Sequence, residues 1–582
     1  MTREFTTIQA RLNEIDLIRN GARSPLVAGD NAPIGSQYLG PGGMPWTKTG
    51  STATSWAQHL LQAVYLNVKT FGAAGDGVAD DRTAIRDAID AAILLGGAVV
   101  FFPPGRYKCV VKGGGKADIP TFLLDGAARG KILFLGCGRS SLIFMSSATP
   151  LGGDRRLFDI KNGCKYVGFK SLAFQSDLVV ESEQQHLIHF ENSPQSTDDE
   201  TGRAFIQDCY FNHTRGDAIR FLGAKGANRV KNILIERCVA QMVSATRSRT
   251  FVSFQRAVDD VTVAACYNSH VNPIDFEPTG KGSNERHRLL DNIFNGNVTL
   301  TGNGAGQEHT KSVFADNIVM GTVSGLDVEN LVLSNNIIAM TFDRNAASVA
   351  FNKRIHNLVL CDNLLYRAAI ATTAASVLSV ANHGRVGDNH GLVISGNICL
   401  NEASTTSHPL SLLNTSKVVA TDNLLLANER THDRANGIRL QGTIEPIFNV
   451  AISGNLVMSL GRRFSAGFSG GGSNVVVTDN LFRQVNTGVT IRPKPTTDPS
   501  MAARNMLVAE SGGIRLIGST FISIDGIATD VGPSIFQVTA SPEGVVVAHI
   551  GSQALRTSGG GAGTTLYIKE SGDGVNTGWV GK

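Results

Sequence analysis

The chain has 582 residues, of which 42% are hydrophobic and 18% charged, with 64 glycines and a formal net charge of +4. There is enough apolar surface to offset chain entropy, which excludes general disorder, and the glycine-rich, charge-poor balance suits a turn-rich β protein. No basic run occurs, which excludes nucleic acid as a main partner, and the longest apolar run, residues 91–102, is too short to cross a bilayer.

Residues 8–20 place Ile8, Leu12, Ile15 and Ile18 at helical spacing before Asn20-Gly21, predicting a short helix in an N-terminal docking segment, 1–30. The opening MTREFTTIQARLNEI has no apolar stretch of signal-peptide type, so the eight sparse cysteines are expected to stay reduced. A small β module is expected over 31–66. Its phrases IGSQYLGPGG and WTKTGSTATSW are echoed near the other end by IGSQALRTSGGG and YIKESGDGVNTGW, which places a related β element in a C-terminal domain, 501–582. Between them, Asp80-Asp81 precedes a predicted helix over 83–95. Ala84, Ile85, Ala88, Ile89, Ala92 and Ile93 form its apolar face, the two aspartates serve as N-cap and first-turn acids, and Gly96-Gly97 is the stop. AVVFFPPGRY follows as the first strand and turn.

From there the chain repeats one phrase: a β-rich run, two polar or small residues, another β-rich run. It reads LLDNIF at Asn292, VFADNIV at Asn317, LVLSNNIIAM at Asn336, LVLCDNLLYR at Asn363 and LVISGNICL at Asn397. It returns at Asn423, Asn455 and Asn480, and upstream Cys209, Cys238 and Cys266 take the place of Asn. The spacings from 209 to 480 are 29, 28, 26, 25, 19, 27, 34, 26, 32 and 25 residues. Such a period with strand-like runs signals a solenoid, because one copy cannot bury its apolar side and stacked copies can. Propeller blades are longer and lack a single-residue ladder. Side-chain amides in register would each donate to the next, with cysteine as a small buried substitute. With coils ~4.8 Å apart, these copies predict a rod of roughly 50 Å.

Residues 68–107, VKTFGAAGDGVADDRTAIRDAID followed by VVFFPPGRY, resemble the N-terminal cap of the pectate-lyase-like superfamily, which includes polygalacturonases, rhamnogalacturonases and many phage tailspikes. The resemblance implies an all-β, right-handed parallel β-helix, assigned to residues 67–500. The ending TLYIKESGDGVNTGWVGK resembles the closing segment of phage tail fibre and spike proteins. That implies a homotrimer in a virion tail, attached to a tail or baseplate protein through its N-terminus and bound to a host surface polysaccharide, capsule or lipopolysaccharide.

Glycoside cleavage needs carboxylates clustered over neighbouring coils, one as acid and one as base or nucleophile. Counting from the ladder position, Asp217 falls 8 after Cys209, Asp275 and Glu277 fall 9 and 11 after Cys266, and Asp327 and Glu329 fall 10 and 12 after Asn317. Residues two apart in a strand share a face, so each of the last two pairs is expected to point outward together. Asp275 and Glu277 are the expected acid/base pair, assisted by Asp217 or Asp327. Arg247, Arg249, Glu308, His309 and Glu329 are the expected substrate contacts, Arg247 and Arg249 suiting an acidic sugar. IDFEP and GDAI resemble strands of catalytic superfamily members, although the adjacent Asp-Asp pair and Gly-His strand of polygalacturonases are missing. A lyase would instead use His270, His309 or Lys311 as base, often with Ca²⁺. The glycine strings lack a phosphate-loop context and no His/Cys group has zinc spacing, so no cofactor or metal is expected. The rival readings are an adhesive spike with the same body and no cleavage, and a monomeric bacterial pectin- or alginate-type enzyme.

Overall fold

The computed structural model describes residues 64–491 apart from short segments between strands. It also describes the strand backbones at 19–20, 37–39, 45–48 and 56–58, and residues 501–503, 505–508, 515–516, 535–538, 541–546, 548–556 and 565–582.

Each coil contributes one strand to each of three parallel sheets, giving a right-handed parallel β-helix. Sheet 1 begins just after the ladder residue and stacks sixteen strands, from Asp76–Asp80 to Met506–Val508. Sheet 2 runs from Ile119–Asp125 through Arg155–Lys161, Gln185–Glu191, Ile219–Leu222, Val252–Gln255 and Ile274–Glu277. Sheet 3 leads back to the next ladder position. Sheets 2 and 3 merge where two long strands, Val323–Ser334 and Val349–Cys361, run through both. This explains the shortest spacing, from Asn317 to Asn336: that coil needs no loop between the two sheets. The stacking continues beyond residue 500, with Met501–Ala503, Met506–Val508 and Arg515–Leu516 in register on the preceding coil.

The ladder is a hydrogen-bonded column. Asn336 donates both its backbone N–H and its Nδ2 to Oδ1 of Asn363, at 3.0 and 2.9 Å, and Nδ2 also donates to the Phe314 carbonyl. Asn363 does the same to Asn397, and Asn397 to Asn423. The column gains a member that the repeat phrase did not mark: Asn480 donates to Asn505. Below Asn292 the cysteines carry it on. Cys266 N–H donates to Asn292 Oδ1, and Cys238 N–H reaches Cys266 Sγ at 3.4 Å. All eight cysteines are free.

The residue before each ladder position is left-handed, from Asp208 (φ 55°) to Asp479 (φ 57°). This conformation suits Asp, Asn and Gly, hence the recurring DN, NN and GN. Gly396 and Gly454 fill it in two coils, and a Cβ on Gly396 would sit 2.2 Å from Asp362 Oδ1. A second left-handed column, partly exposed and polar, crosses sheet 3. It includes Asp260, Arg286, Asn330 and Asn357, with Arg286 paired to Asp260 and Asn357 Nδ2 donating to Asn330.

The helix Arg82–Leu94 closes the lower end with Ala84, Ile85, Ala88, Ile89 and Ala92 buried against the first coils. The aspartates work differently from expectation. Asp81 occupies the N-cap position but makes no capping bond with its side chain, which instead accepts N–H groups of Ala74 and Gly75 and pins the preceding loop. Asp80 accepts from Arg82 N–H and from Val110 N–H, tying the helix start to the next strand.

At each end lies a separate four-stranded sheet, Arg19–Asn20, Gln37–Leu39, Pro45–Lys48 and Trp56–Gln58 in one, Ile535–Val538, Gln553–Arg556, Leu566–Lys569 and Trp579–Gly581 in the other. Both pair parallel, antiparallel, antiparallel, with Lys48 opposite Trp56 in one and Lys569 opposite Trp579 in the other. The sequence echo therefore marks one module used twice. The predicted N-terminal helix lies outside the described residues except for 19–20, which form a strand. No described helix is long and apolar enough to cross a membrane.

Candidate functional site

Alternation along sheet 2 turns one set of residues into the coil and the next set out. Inward, Phe190, Phe221, Phe254 and Phe276 stack coil on coil, the last two with ring centroids 4.3 Å apart. This stiff aromatic column fixes the strands that carry the polar one. On the alternate positions Asp159, His189, Arg220, Ser253 and Asp275 follow one another on five successive coils.

These groups are bonded together. His189 Nδ1 lies 2.8 Å from Asp159 Oδ1 and its Nε2 has no hydrogen-bond partner, so the carboxylate fixes a tautomer with an available lone pair. Arg156 and Lys161 each reach both Asp159 and Glu191, at 3.1 to 3.2 Å. Asp159, His189 and Glu191 bring their ligating atoms within 4.8 Å of one another, as a metal site would, but these two side-chain cations already balance the carboxylates. Arg220 lies 2.7 Å from His186 Nε2 and 2.5 Å from Gln255 Oε1. His186 Nδ1 accepts from the backbone N–H of Asp217 at 3.3 Å and lies 3.6 Å from Asp217 Oδ2. Burial holds both histidines neutral, well below the ordinary imidazole range, with the neighbouring arginines acting in the same direction.

Asp217 is the most perturbed acid. It is fully buried, with the Thr250 side chain placed to favour its charged form. Burial raises its pKa to about 7, Arg249 and Arg220 oppose the rise, and the charge of Asp275 adds to it. Asp275, half-buried, is also raised by burial and lowered by Arg249. Arg249, with Nε 4.0 Å from Asp217 Oδ1, is thus the cation shared by two carboxyl groups.

Of the residues singled out in the sequence, the structure brings together Asp217, Asp275 and Arg249. Glu277 stacks on Gln255 in the same strand pair, while its side chain, Arg247 and Glu308 lie outside the described residues. Asp327 and Glu329 do not extend the cluster. The column above Asp275 continues through Thr299 to Ser324, and Asp327 sits at the corner between sheets 2 and 3. Its left-handed φ of 51° and a register shift between Leu326 and Val328 break the alternation that was to place it beside Glu329. Asp327 pairs instead with Arg354 at 3.3 Å. His309 is buried inside the coil, its ring 4.4 Å from that of Phe276 and stacked on His287, out of reach of a substrate on the outer face. The sequence reading missed Asp159, His189, Glu191, Arg156, Lys161, His186 and Arg220. The available signal was the aligned pair RRLFDIK and QHLIHFE, two apolar strands carrying charges or histidine at matching places.

Two pH responses follow. Asp217 is protonated in the folded state up to about pH 7, whereas its unfolded value is near 3.8. The wild type therefore loses stability as pH rises from about 4 to about 7, by at most ~4 kcal/mol, and Asp217→Asn should not. Thermal unfolding of both proteins across that window checks it; parallel curves would refute the burial argument. His309 behaves in the opposite sense. Burial lowers its pKa to about 3, so the unfolded chain takes up a proton between pH 6.5 and 3 that the folded chain refuses, and stability falls with pH. His309→Phe, which extends the aromatic stack, is expected to move the acid-unfolding midpoint down by about half a pH unit or more, read by circular dichroism.

Residues 65–112, the cap, match the family described as rhamnogalacturonase A/epimerase, pectate lyase-like. The chain is a parallel β-helix, and this family match covers its cap. Among curated proteins, mannuronan C5-epimerase AlgE6 of Azotobacter vinelandii is 60% identical over 101 residues, 16% of this chain and 12% of that protein. Mannuronan C5-epimerase AlgE4 of the same organism is 52% identical over 60 residues, 10% of this chain and 11% of that protein. This chain thus matches a short part of these curated relatives, 12% of their length or less. Among solved structures, the tailspike of E. coli bacteriophage HK620, a variant in complex with a pentasaccharide, has a TM-score of 0.51 at 12% identity. The likeness covers 92% of each chain, so this β-helix shares its fold with the tailspike over nearly its whole length.

Proposed function

We propose that this chain is a phage tailspike that binds a host surface polysaccharide, capsule or lipopolysaccharide, and hydrolyses it, with sheet 2 as the cleaving face. One observation carries the reading: a carboxyl group kept protonated to about pH 7, Asp217, is electrostatically coupled to a second carboxyl, Asp275, through a shared arginine. Glycosidases need this asymmetry, one acid neutral to protonate the leaving oxygen and one ionised to activate water or attack. Asp217 serves as the acid, Asp275 with Glu277 as the base side, and Arg249 holds both carboxyls and faces an acidic sugar. The rod-long likeness to a pentasaccharide-bound tailspike supports the substrate class and the virion setting. In this reading the chain works as a homotrimer and docks to the tail through the segment ahead of the cap.

A second reading rests on a separate observation, the Asp159–His189 pair. A buried neutral imidazole, oriented by a carboxylate and flanked by Arg156 and Lys161, is arranged to take a proton from a carbon next to a sugar carboxylate. That is lyase or epimerase chemistry, and the epimerase relatives share segments with this chain. Product analysis on acidic and neutral host glycans separates the two. Hydrolysis gives new reducing ends without ultraviolet absorbance, elimination gives an absorbing unsaturated uronate, and release of no fragments from any host glycan leaves an adhesive spike.

A further inference from the structure

Sheet 2 builds one constellation twice. Low on the rod His186 lies a coil below Asp217, and higher up His408 lies a coil below Asn436. The phrase that follows each imidazole reads alike, DAIRFLG over 217–223 and NGIRLQG over 436–442. In both, the first residue of the phrase donates its backbone N–H to imidazole Nδ1, at 3.3 Å from Asp217 and 2.9 Å from Asn436. In both, the arginine three residues on meets Nε2, Arg220 at 2.7 Å and Arg439 at 3.2 Å. In both, the guanidinium also donates to a glutamine, Gln255 below and Gln441 above. A serine stands in register one coil above each arginine, Ser253 and Ser469. The copies differ at the proposed catalytic positions: Asn436 takes the place of Asp217, and Thr490 that of Asp275. The upper copy keeps the frame and drops both carboxyl groups.

The two arginines also differ in exposure. Arg220 is buried, whereas Arg439 is half-buried on the outer face. Burial lowers the His408 pKa to about 4, with Arg439 acting in the same direction, so the imidazole is neutral at neutral pH and leaves the guanidinium charge uncompensated. Arg156, Arg229, Arg286 and Arg354 each meet a carboxylate, and Arg439 meets none among the described residues. His408 and Gln441 each take one N–H of the fork, which fixes its plane and leaves other N–H groups for a ligand. A guanidinium held in this way suits a carboxylate, which accepts two parallel N–H bonds. We propose that Arg439 is a second polysaccharide site, one that grips a carboxylate-bearing sugar and does not cut it. Between Asp275 and Arg439 the outer column of sheet 2 runs Thr299, Ser324, Ala350, Ser379 and Ser411, all short and all but one with a hydroxyl to offer a sugar. Six rungs of ~4.8 Å make ~29 Å, so one extended polymer lying along the column reaches both places. A remote grip raises the local concentration of the polymer at the acids and holds it on the rod between cuts. The inference rests on the reading of sheet 2 as the polysaccharide face and is independent of cleavage.

The full chain is run through native gels cast with polygalacturonate, with dextran or with no polymer, and Kd is taken from the retardation. The wild type is expected to be retarded by the polyuronate and not by dextran. Arg439→Gln should raise Kd about tenfold, the loss of one charge-assisted contact. Ser469→Glu sets a carboxylate in register on Arg439 and should do the same by filling the site from within; it decides should Arg439→Gln fail to fold. Arg483→Gln removes the same charge from an exposed place on sheet 1 and should leave Kd unchanged. A wild type that the polyuronate does not retard overturns the inference. So does unchanged retardation in Arg439→Gln and Ser469→Glu, or an equal loss in Arg483→Gln. Product analysis tests cleavage separately. A chain that cuts nothing yet loses its grip in Arg439→Gln keeps this site, and a chain that cuts, with wild type and Arg439→Gln held alike, loses this site and nothing else.

Discussion

Asn363→Ala is expected to destabilise the rod by about 4 kcal/mol, among the largest effects available to a single substitution outside the aromatic core. Asn363 Oδ1 accepts from the backbone N–H and Nδ2 of Asn336, and its own Nδ2 donates to the Leu333 carbonyl and to Asn397. Alanine therefore orphans two buried donors and weakens the bonding of a carbonyl, each costing roughly 1–3 kcal/mol, less what a trapped water returns. The loss is local in sequence but not in space, since the ladder ties coils 27 and 34 residues apart. Asn363→Cys should cost about half as much, because the lower coils already show a thiol in that place accepting a backbone N–H. Denaturant unfolding of the three proteins measures the series. If alanine matches the wild type within 1 kcal/mol, the ladder is an ornament of the turn and not a source of stability.

The same ladder explains why the fold was legible and the site only partly so. Asn, Asp and Gly recur because two adjacent backbone positions have narrow requirements, one left-handed and one buried with donors to satisfy, and few residue types meet them. Function imposes no such period. Asp159, His189, Arg220, Ser253 and Asp275 form one column in space, yet Arg220 lies 11 residues after its ladder position, Ser253 15 and Asp275 9. The connection between sheets 1 and 2 varies in length, so counting forward from the ladder loses phase before it reaches the site. Asp217 and Asp275 were found because their offsets happen to be close, and Asp327 was included for the same reason although it sits at a corner. Further down, the ladder place is taken by Leu172 and Ser141, which are in register with Cys209 but carry no sequence signature. The strands Arg155–Lys161 and Gln185–Glu191 therefore lay below the recognised repeat, and the Asp159–His189 pair with them.

For cleavage, Asp217→Asn is expected to lower kcat by 10²- to 10⁴-fold, the usual worth of a general acid, while leaving polysaccharide binding nearly intact because the side chain is buried and isosteric. Amide for carboxyl also removes the group that sets the alkaline limb: wild-type activity should fall above about pH 7 as Asp217 ionises, and the residual activity of the variant should not. Arg249 supplies the readout that a merely structural residue would not move. Its charge lowers the pKa of both Asp217 and Asp275, so Arg249→Gln should raise both and carry the alkaline limb, together with the acid limb, to higher pH. A pH–rate profile that drops in height without shifting would assign Arg249 to binding alone. Full activity in Asp217→Asn would remove the acid from the proposal and leave the Asp159–His189 pair as the place to look for the chemistry.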